Sequence, residues 1–182
     1  MAEPILLLFD TLPTPLGAMV VVAGRDGKLR AAIWTEGDVP VHGLLTAQYG
    51  RNGYELEKAR DPFGMTDALR RYFKGDLSAI DALPSAARGT EFQRLIWNAL
   101  RTIPCGATIS YGELARRVGR PGAARAVGLA NGSNPVGIVV PCHRVIGANG
   151  TLTGYGGGIE RKRWLLAHEK ALGMAELAFA AR

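Results

Sequence analysis

Short apolar runs separated by turn residues occupy residues 1 to about 60. Three of these runs have the length and composition of strands: Ile5 to Phe9, Gly17 to Ala23 and Leu29 to Trp34. Residues 24–27, Gly-Arg-Asp-Gly, predict a hairpin turn between the last two. Leu44 to Tyr49 and Thr66 to Phe73 predict short helices, and the Pro/Ala/Ser-rich residues 77–89 predict a linker. Because no titratable groups cluster in this half, its pattern favours a scaffold.

Helical spacing with clear start signals replaces this pattern after residue 89. Thr90 and Gln93 have the spacing of a capping box. The apolar residues that follow form one helical stripe: Phe92, Ile96, Ala99, Leu100 and Ile103. The sequence therefore predicts a helix that ends near Pro104.

Two shorter helices joined by a glycine-containing turn come next. Ser110 and Glu113 form a second capping-box spacing, which opens a helix to about Val118. Residues 119–122, Gly-Arg-Pro-Gly, predict the turn, and Ala123 to Asn131 predict the second helix. This is the pattern of a helix-turn-helix, although a helical hairpin within a core has the same pattern.

The second of these helices differs from a typical reader of DNA bases. Its residues are mostly small, namely Ala123, Ala124, Ala126, Gly128 and Ala130. A base reader presents several Arg, Asn or Gln side chains, whereas small residues let a helix backbone approach a groove closely. Arg125 is the only charged residue of this helix and could enter a duplex. Its alternatives are a phosphate contact or an ordinary surface charge.

The distribution of charge supports a polyanionic partner for the second half. Residues 1–85 carry 9 Lys/Arg against 11 Asp/Glu, a net −2, whereas residues 86–182 carry 13 against 5, a net +8. The alternative is a basic surface with no partner.

Composition excludes several classes of protein. A length of 182 residues suits one large or two small domains, and we expect a boundary that separates residues 1–85 from 86–182. We expect no membrane span, because no run of 18 apolar residues occurs, and no secretion, because Ile5 to Phe9 is too short for a signal core. Two cysteines without a CxxC pair and three histidines exclude a disulfide scaffold and predict no metal site. A cytoplasmic location follows.

One apolar run ends at a group of reactive side chains. Residues 134–140 predict a short buried strand that stops at Pro141. Cys142 then emerges at the strand end, with His143 and Arg144 directly behind it. Two potentially cationic neighbours favour the nucleophilic thiolate, and the alternative is a buried core cysteine.

The C-terminal part contributes a glycine-rich stretch and a last helix. The glycines of residues 147–158 lack the Lys-Ser/Thr of a phosphate loop, so they either bring backbone amides to a ligand or form a mobile surface loop. Ile159 to Lys170 predicts the helix, in which Glu169 shares the inward face with Leu165. A carboxylate there needs a partner, either His143 or a nearby arginine.

Cys142, His143 and Glu169 together have the composition of a thiol nucleophile with a base and an orienting acid. Adjacent side chains of an extended chain point apart, so coupling of the first two needs a local turn or an intervening water. The basic, groove-compatible helices place the substrate in DNA.

The second half of the chain resembles the O6-alkylguanine-DNA alkyltransferases, also called methylated-DNA–protein-cysteine methyltransferases. The resemblance covers nearly the whole second half, and its motifs occur in order: 89–93, 103–106, 110–115, 124–128, 134–135, 141–145 (Pro-Cys-His-Arg-Val), 154–155 and 164–169. The N-terminal half matches only loosely. The family implies an α/β N-terminal domain with a ribonuclease-H-like sheet and helix, and a mainly α C-terminal winged helix-turn-helix domain.

The resemblance also implies an irreversible reaction that each molecule performs once. Cys142 takes the alkyl group from O6-alkylguanine, and from O4-alkylthymine, in double-stranded DNA, after the protein binds the minor groove and flips the base into a pocket. His143 accepts the thiol proton through a water, Glu169 lies behind it, and Tyr111 donates to the departing guanine. Asn134 holds the turn that carries the active site. No cofactor is required.

Further residues are assigned to recognition by the same resemblance. Arg125 fills the gap left in the base stack, and Tyr111, Gly112 and Arg120 contribute to DNA binding. The carbonyls of Cys142 and Val145 receive the guanine amino group. Tyr155 and Gly156 complete the base pocket.

Two features of the sequence set this chain apart from parts of the family. Some relatives have Ser at the position of Gly156, and Gly keeps the backbone amide while losing only a hydroxyl. Some relatives bind zinc in the N-terminal half, which here has no Cys, so no zinc is expected. Cys105 lies near a helix end, outside the Pro-Cys-His-Arg-Val motif, and is expected to be structural. A monomer is expected, with cooperative binding along DNA left open.

Three other functions have weaker support in the sequence. A non-enzymatic lesion-binding relative would lack the reactive cysteine, which is present as Cys142. A transcription regulator that senses alkylation would need an effector domain and a helix richer in base-reading side chains. A thiol hydrolase would turn over repeatedly.

Overall fold

The computed structural model of the chain describes residues 3–35 and 39–172. The chain divides into two compact units: Met1–Gly89 with Pro135–Val139 form the first, and Thr90–Asn134 with Val140–Arg182 form the second. Residues 135–139 thus belong to the first unit although they lie in the second half of the sequence. Within the described ranges no helix is both long and apolar enough to cross a membrane.

A mixed four-stranded sheet forms the centre of the first unit. Its strands are β1 (Ile5–Thr14), β2 (Gly17–Gly24), β3 (Leu29–Trp34) and β4 (Tyr54–Lys58), in the order β3-β2-β1-β4. β1 pairs antiparallel with β2 and parallel with β4, and β2 pairs antiparallel with β3. β2 and β3 confirm the sequence prediction, and β1 begins where predicted but runs five residues past its predicted end at Phe9. β4 was not predicted, because its charged residues Glu55, Glu57 and Lys58 suit an exposed sheet edge better than an apolar run.

Two helices and a short connecting segment complete the first unit. Helices α1 (Val39–Tyr49) and α2 (Met65–Phe73) match the predicted helices, with α1 beginning earlier than expected. Leu45, Leu69 and Tyr72 are fully buried. The segment predicted as a linker runs beside β3, where Leu29 donates to the Pro84 carbonyl at 2.9 Å. Its residues Ile80 and Leu83 are buried, so it packs as part of this unit.

The second unit is mainly helical. Its helices are α3 (Glu91–Leu100), α4 (Tyr111–Arg117), α5 (Ala124–Gly132) and α6 (Ile159–His168), and β5 (Ile109–Ser110) pairs in parallel with β6 (Val145–Ile146). The capping box of Thr90 and Gln93 forms in both directions. At α4 only half of the predicted box forms: Ser110 accepts from the Glu113 amide, while the Glu113 carboxylate bonds to arginines one turn later.

Helix α5 is fixed to α3 by two polar contacts. The Trp97 indole donates to the Ala130 carbonyl at 2.8 Å, and the Gln93 side chain donates to the Ser133 hydroxyl at 3.0 Å. Positive φ angles at Gly119 (70°) and Gly122 (87°) permit the turn between α4 and α5, and they explain the glycines there. This anchoring leaves Arg125 and Leu129 on the exposed side of α5.

Candidate active site

Tight turns, and not a strand, deliver Cys142. Val139 donates to the Gly137 carbonyl at 2.8 Å around Ile138, whose φ is 69°, and Cys142 donates to the Val140 carbonyl at 2.8 Å around Pro141. Both are γ-turns, and a positive φ at a β-branched residue is a strained conformation. The prediction of a strand over 134–140 is therefore wrong, except that Val136 forms a single bridge with Ala32. Apolar composition alone cannot distinguish buried turns from a buried strand.

A single 3₁₀ turn, Cys142–Arg144, places the thiol, the imidazole and the guanidinium. A local turn was one of the two alternatives, beside an intervening water, that the sequence left open for coupling Cys142 to His143. All three side chains are buried, with residue exposures of 6% for Cys142, 0% for His143 and 5% for Arg144. The turn is followed directly by β6, which begins at Val145.

Glu169 is bonded to two residues of this turn. Helix α6 ends at His168, two residues earlier than predicted, and Glu169 is its C-cap residue. His143 Nε2 lies 3.0 Å from Glu169 Oε1, and Arg144 donates through Nε and Nη2 to the two carboxylate oxygens at 2.8 Å each. Arg144 Nη1 also donates to the Ile103 carbonyl at 2.6 Å. Both partners that the sequence offered for Glu169, the histidine and an arginine, are thus engaged at once.

These contacts set the protonation of the site. Burial opposes the charged form of Glu169, but hydrogen bonds from His143 and Arg144 outweigh it and hold its pKa far below the ordinary value. Burial lowers the pKa of His143, an effect that Glu169 only partly offsets, so the imidazole is neutral at pH 7. Since a carboxylate only accepts, Nε2 carries the imidazole proton. His143 Nδ1 is then the basic nitrogen, and it has no hydrogen-bond partner among the described residues.

The thiol itself is not activated as the sequence suggested. Burial raises the pKa of Cys142, and only the Asn134 side chain, the Lys162 charge and backbone amides act in the opposite direction. His143 is neutral and the charge of Arg144 is matched by Glu169, so neither supplies the expected cation. Cys142 therefore rests as a thiol and needs a base to become a nucleophile.

The arginine–carboxylate pair yields a prediction about stability. Replacing Arg144 with methionine should lower the free energy of unfolding by about 3–5 kcal/mol, because a buried carboxylate loses its cation. Because the pKa of Glu169 is lower in the folded than in the unfolded protein, its ionised form stabilises the fold fully at pH values above the unfolded-state pKa near 4.5. This stabilisation is lost as the pH falls toward the folded-state pKa. The difference between variant and wild type should therefore shrink in acid. Urea unfolding at several pH values measures it.

Arg116 provides the matched control for that experiment. It pairs with Glu113 at 2.6 Å on the surface of α4, with 65% of its side chain exposed. Arg116→Met should change the free energy of unfolding far less than Arg144→Met does, because solvent screens an exposed ion pair. Equal effects of the two substitutions would contradict the assignment of the buried pair.

Two asparagine side chains fix the backbone around the thiol. Asn134, which the sequence singled out, donates to the Val140 carbonyl at 2.8 Å. Asn131, which it did not, is 2% exposed and donates to the Cys142 carbonyl at 3.3 Å. An asparagine near a helix end usually caps that helix locally. Nothing in the sequence around Asn131 therefore indicated a contact with the more distant Cys142.

Lys162 is the other residue that the sequence did not reveal. It is fully buried on α6, and its ammonium donates to the Val145 carbonyl at 2.6 Å and the Thr153 carbonyl at 2.9 Å. Burial lowers its pKa to about 8. A signal was available, because Lys162 precedes Leu165 and Leu166 by one turn, the same spacing that placed Glu169 on the inward face.

Tyr111 contacts the glycine-rich segment. Its hydroxyl donates to the Thr153 carbonyl at 3.2 Å, and its ring lies 5.9 Å from the Lys162 ammonium. Burial raises its pKa, so the phenol keeps its proton at neutral pH. Tyr155 is half-buried with a pKa that burial raises well above the ordinary value.

The remaining predicted residues are more exposed. Gly156 is exposed, and a Cβ added there would lie 3.5 Å from the Gly132 carbonyl, an ordinary contact. Arg120 and Arg125 are exposed, and Gly112 is half-buried in the first turn of α4. Cys105 is exposed after α3. Across residues 3–35 and 39–172, no three His, Cys, Asp or Glu side chains are placed to hold a metal ion.

Comparisons with known proteins agree on one family. Residues 91–171 match the family described as "6-O-methylguanine DNA methyltransferase, DNA binding domain". The methylated-DNA–protein-cysteine methyltransferase of Shigella flexneri is 56% identical over 163 residues, which is 90% of this chain and 95% of that protein.

Solved structures give the same result. The O6-methylguanine methyltransferase of Mycobacterium tuberculosis has a TM-score of 0.73 and 42% identity, and the match covers 95% of this chain and 98% of that one. A structure of Mycobacterium tuberculosis OGT in complex with DNA matches with a TM-score of 0.72, 42% identity and the same coverage.

Proposed function

This chain belongs to the methylated-DNA–protein-cysteine methyltransferase family, and from that premise we propose how its residues repair alkylated DNA. It transfers the alkyl group from O6-alkylguanine, and also from O4-alkylthymine, in double-stranded DNA to Cys142. The observation that carries this proposal is that Cys142 is buried on the same turn as His143. His143 bonds through Nε2 to the Glu169 carboxylate, which leaves Nδ1 as its basic nitrogen. The reaction restores the base directly and requires no cofactor.

The thiol proton leaves before or during attack on the alkyl carbon. His143 Nδ1 accepts it through one water molecule, since this nitrogen is neutral and has no partner among the described residues. Glu169, kept ionised by Arg144, stabilises the imidazolium that forms. The Cys142 sulfur then forms a bond to the alkyl carbon while the bond from that carbon to guanine O6 breaks.

The electron pair of the broken bond moves onto the guanine. Tyr111 donates its hydroxyl proton to the ring nitrogen of the departing base, which offsets the developing negative charge. The phenolate then regains a proton from solvent as the His143 imidazolium releases one, so the proton lost by the thiol is balanced by the proton gained by the base. The raised pKa of Tyr111 supports this role, because the phenol is protonated when the base arrives. Tyr111 donates to Thr153 in the free protein, so it exchanges that acceptor for the base.

The base pocket is assigned to backbone groups around the nucleophile. The carbonyls of Cys142 and Val145 receive the guanine amino group, with Asn131 and Lys162 holding these two carbonyls through one lone pair each. The backbone amides near Tyr155 and Gly156 contact the guanine oxygen. Asn134 holds the preceding turn through Val140.

DNA binding is assigned to α4 and α5 as a helix-turn-helix. Small exposed residues on α5 let it approach the minor groove, and Arg125 enters the duplex as the damaged base leaves. Tyr111, Gly112 and Arg120 contact the backbone near the extruded nucleotide. The net charge of +8 over residues 86–182 favours binding to the phosphates.

The finer architecture and setting are part of the same proposal. We assign the first unit to a ribonuclease-H-like sheet with helix that serves as scaffold, and the second to a winged helix-turn-helix. The sequence has two cysteines and no CxxC pair, a usage that suits a reducing cytoplasm. The protein acts as a monomer on DNA.

Nucleoside analysis of repaired DNA tests this function. A duplex with O6-methylguanine is incubated in excess over protein, digested and separated by chromatography. O6-methyldeoxyguanosine should be converted to deoxyguanosine, and the conversion should stop at about one equivalent per protein, because a thioether is not reversed by cellular thiols. Repeated turnover, or release of the damaged base, would indicate a hydrolase or a glycosylase instead.

Lys162 supplies a further prediction for this reaction. Lys162→Met should slow methyl transfer by about tenfold or more, because two carbonyls lose a charged donor and the thiolate loses a nearby cation. Single-turnover rates measure the change. Lys170→Met is the control, since Lys170 is exposed just beyond α6, and its rate should equal that of the wild type. Equal rates for both variants would show that Lys162 only fills space.

A further inference from the structure

An exposed leucine lies on the helix that faces DNA. Leu129 is 73% exposed on α5, more than the other exposed large apolar residues of the described chain, Phe63 at 54% and Leu95 at 41%. Single exposed leucines are common and need no explanation by themselves. The position of this one, on a helix whose other outward residues are small or cationic, distinguishes it.

Leu129 shares its helix face with Arg125. The two residues are four apart, so they lie on the same side of α5, separated by about 6 Å along its axis. That distance corresponds to about two base pairs of duplex. Ala126 and Gly132 are also exposed but carry little or no side chain. Leu129 is therefore the one large apolar group on the described outward face of α5.

The opposite face of α5 shows that this orientation is fixed. Val127, Ala130 and Asn131 are buried, and the Ala130 carbonyl accepts from the Trp97 indole at 2.8 Å. Asn131 also donates to the Cys142 carbonyl, so rotation of the helix would break contacts at the nucleophile. Leu129 cannot turn inward while these contacts persist.

We propose that Leu129 is an apolar wedge that enters the minor groove one helical turn beyond Arg125 and holds the groove open beside the extruded nucleotide. The minor groove of B-DNA is about 6 Å wide, too narrow for a helix without widening. Proteins that bind there commonly insert Leu, Ile, Phe or Met against the sugars and base steps. Arg125 alone supplies charge but no apolar contact with the sugar walls. Leu129 is thus a positioning residue, and the inference rests on the proposed mode of DNA binding.

Salt dependence separates this apolar contact from the ionic ones. Leu129→Ala should weaken binding to a lesion-free duplex by about tenfold, the effect of removing a few buried methylene groups. Because no phosphate contact is lost, the factor should be the same at low and high salt. Arg120→Ala should instead reduce the slope of log K against log salt by about 1. Leu129→Met should restore most of the affinity, since Met fills a similar volume.

Leu95→Ala is the matched control, because it removes another exposed leucine of the same unit, on α3. Affinity is measured by fluorescence anisotropy at several salt concentrations, and the thermal unfolding temperature of each variant is recorded. Three results would overturn the inference: wild-type affinity in Leu129→Ala, a loss that varies with salt as in Arg120→Ala, or a lowered unfolding temperature that accounts for the loss. Failure of the wild-type protein to repair O6-methylguanine would instead refute the proposed function itself.

Discussion

Replacing Cys142 with alanine should abolish methyl transfer and leave binding to a duplex with O6-methylguanine intact. Alanine removes the sulfur proposed to accept the alkyl group and adds no buried charge, so the turn that His143 and Arg144 share should persist. Helix α5, which we assign to DNA binding, is anchored through Trp97, and alanine keeps the backbone carbonyl of residue 142 that Asn131 contacts. Transfer is measured with a duplex labelled in the methyl group, and binding by anisotropy.

The other cysteine provides the control for this substitution. Cys105 is exposed and lies outside the buried cluster, so Cys105→Ala should transfer the methyl group at the wild-type rate. Residual transfer by Cys142→Ala, or loss of transfer in Cys105→Ala, would place the acceptor elsewhere. A loss of DNA binding in Cys142→Ala would show that the thiol has a structural part as well.

Replacing His143 with glutamine should slow transfer by about 10²–10⁴-fold, the usual contribution of a positioned general base. Glutamine can still donate a hydrogen bond to Glu169, but it cannot accept the thiol proton. His168→Gln is the control, because His168 stacks on Trp164 at 4.6 Å between ring centroids and is not assigned to proton transfer. Single-turnover rates of both variants and the wild type measure the difference.

The dependence of the rate on pH gives the same prediction a second readout. The wild type requires neutral His143, and burial lowers the pKa of that imidazole below its ordinary value of 6.5, so the rate should fall only below that value. In His143→Gln the rate should follow the thiolate instead and rise through neutral pH, because burial raises the pKa of Cys142. Identical pH profiles would exclude His143 as the base.

Local patterns predicted much of the fold. The capping box at Thr90, the apolar runs of β1 to β3 and the turn glycines of α4 and α5 each depend on near neighbours in the chain. Such features can be predicted because the residues that interact are close together in the sequence. β4 was missed because its alternating charges are typical of an exposed segment.

The candidate site was only partly predictable, because the contacts and the burial that set its protonation involve residues far apart in the sequence. Helical spacing pointed Glu169 inward, but only the fold shows that it engages His143 and Arg144 together. The expectation of an activated thiolate was wrong because burial raises the Cys142 pKa, and burial depends on the whole unit. Ile138 has a positive φ, which is rare for a β-branched residue and cannot be expected from the sequence. The turn before Cys142 was therefore predicted as a strand.

Peptide mapping after a single repair reaction is the most direct test of Cys142 as the acceptor. The protein is mixed with one equivalent of a duplex containing O6-methylguanine, digested with trypsin and analysed by mass spectrometry. The peptide of residues 126–144, which contains Cys142, should gain one CH₂, and the peptide of residues 102–116, which contains Cys105, should be unchanged. Methylation of the Cys105 peptide, or loss of the lesion with no gain of mass on either peptide, would contradict transfer to Cys142.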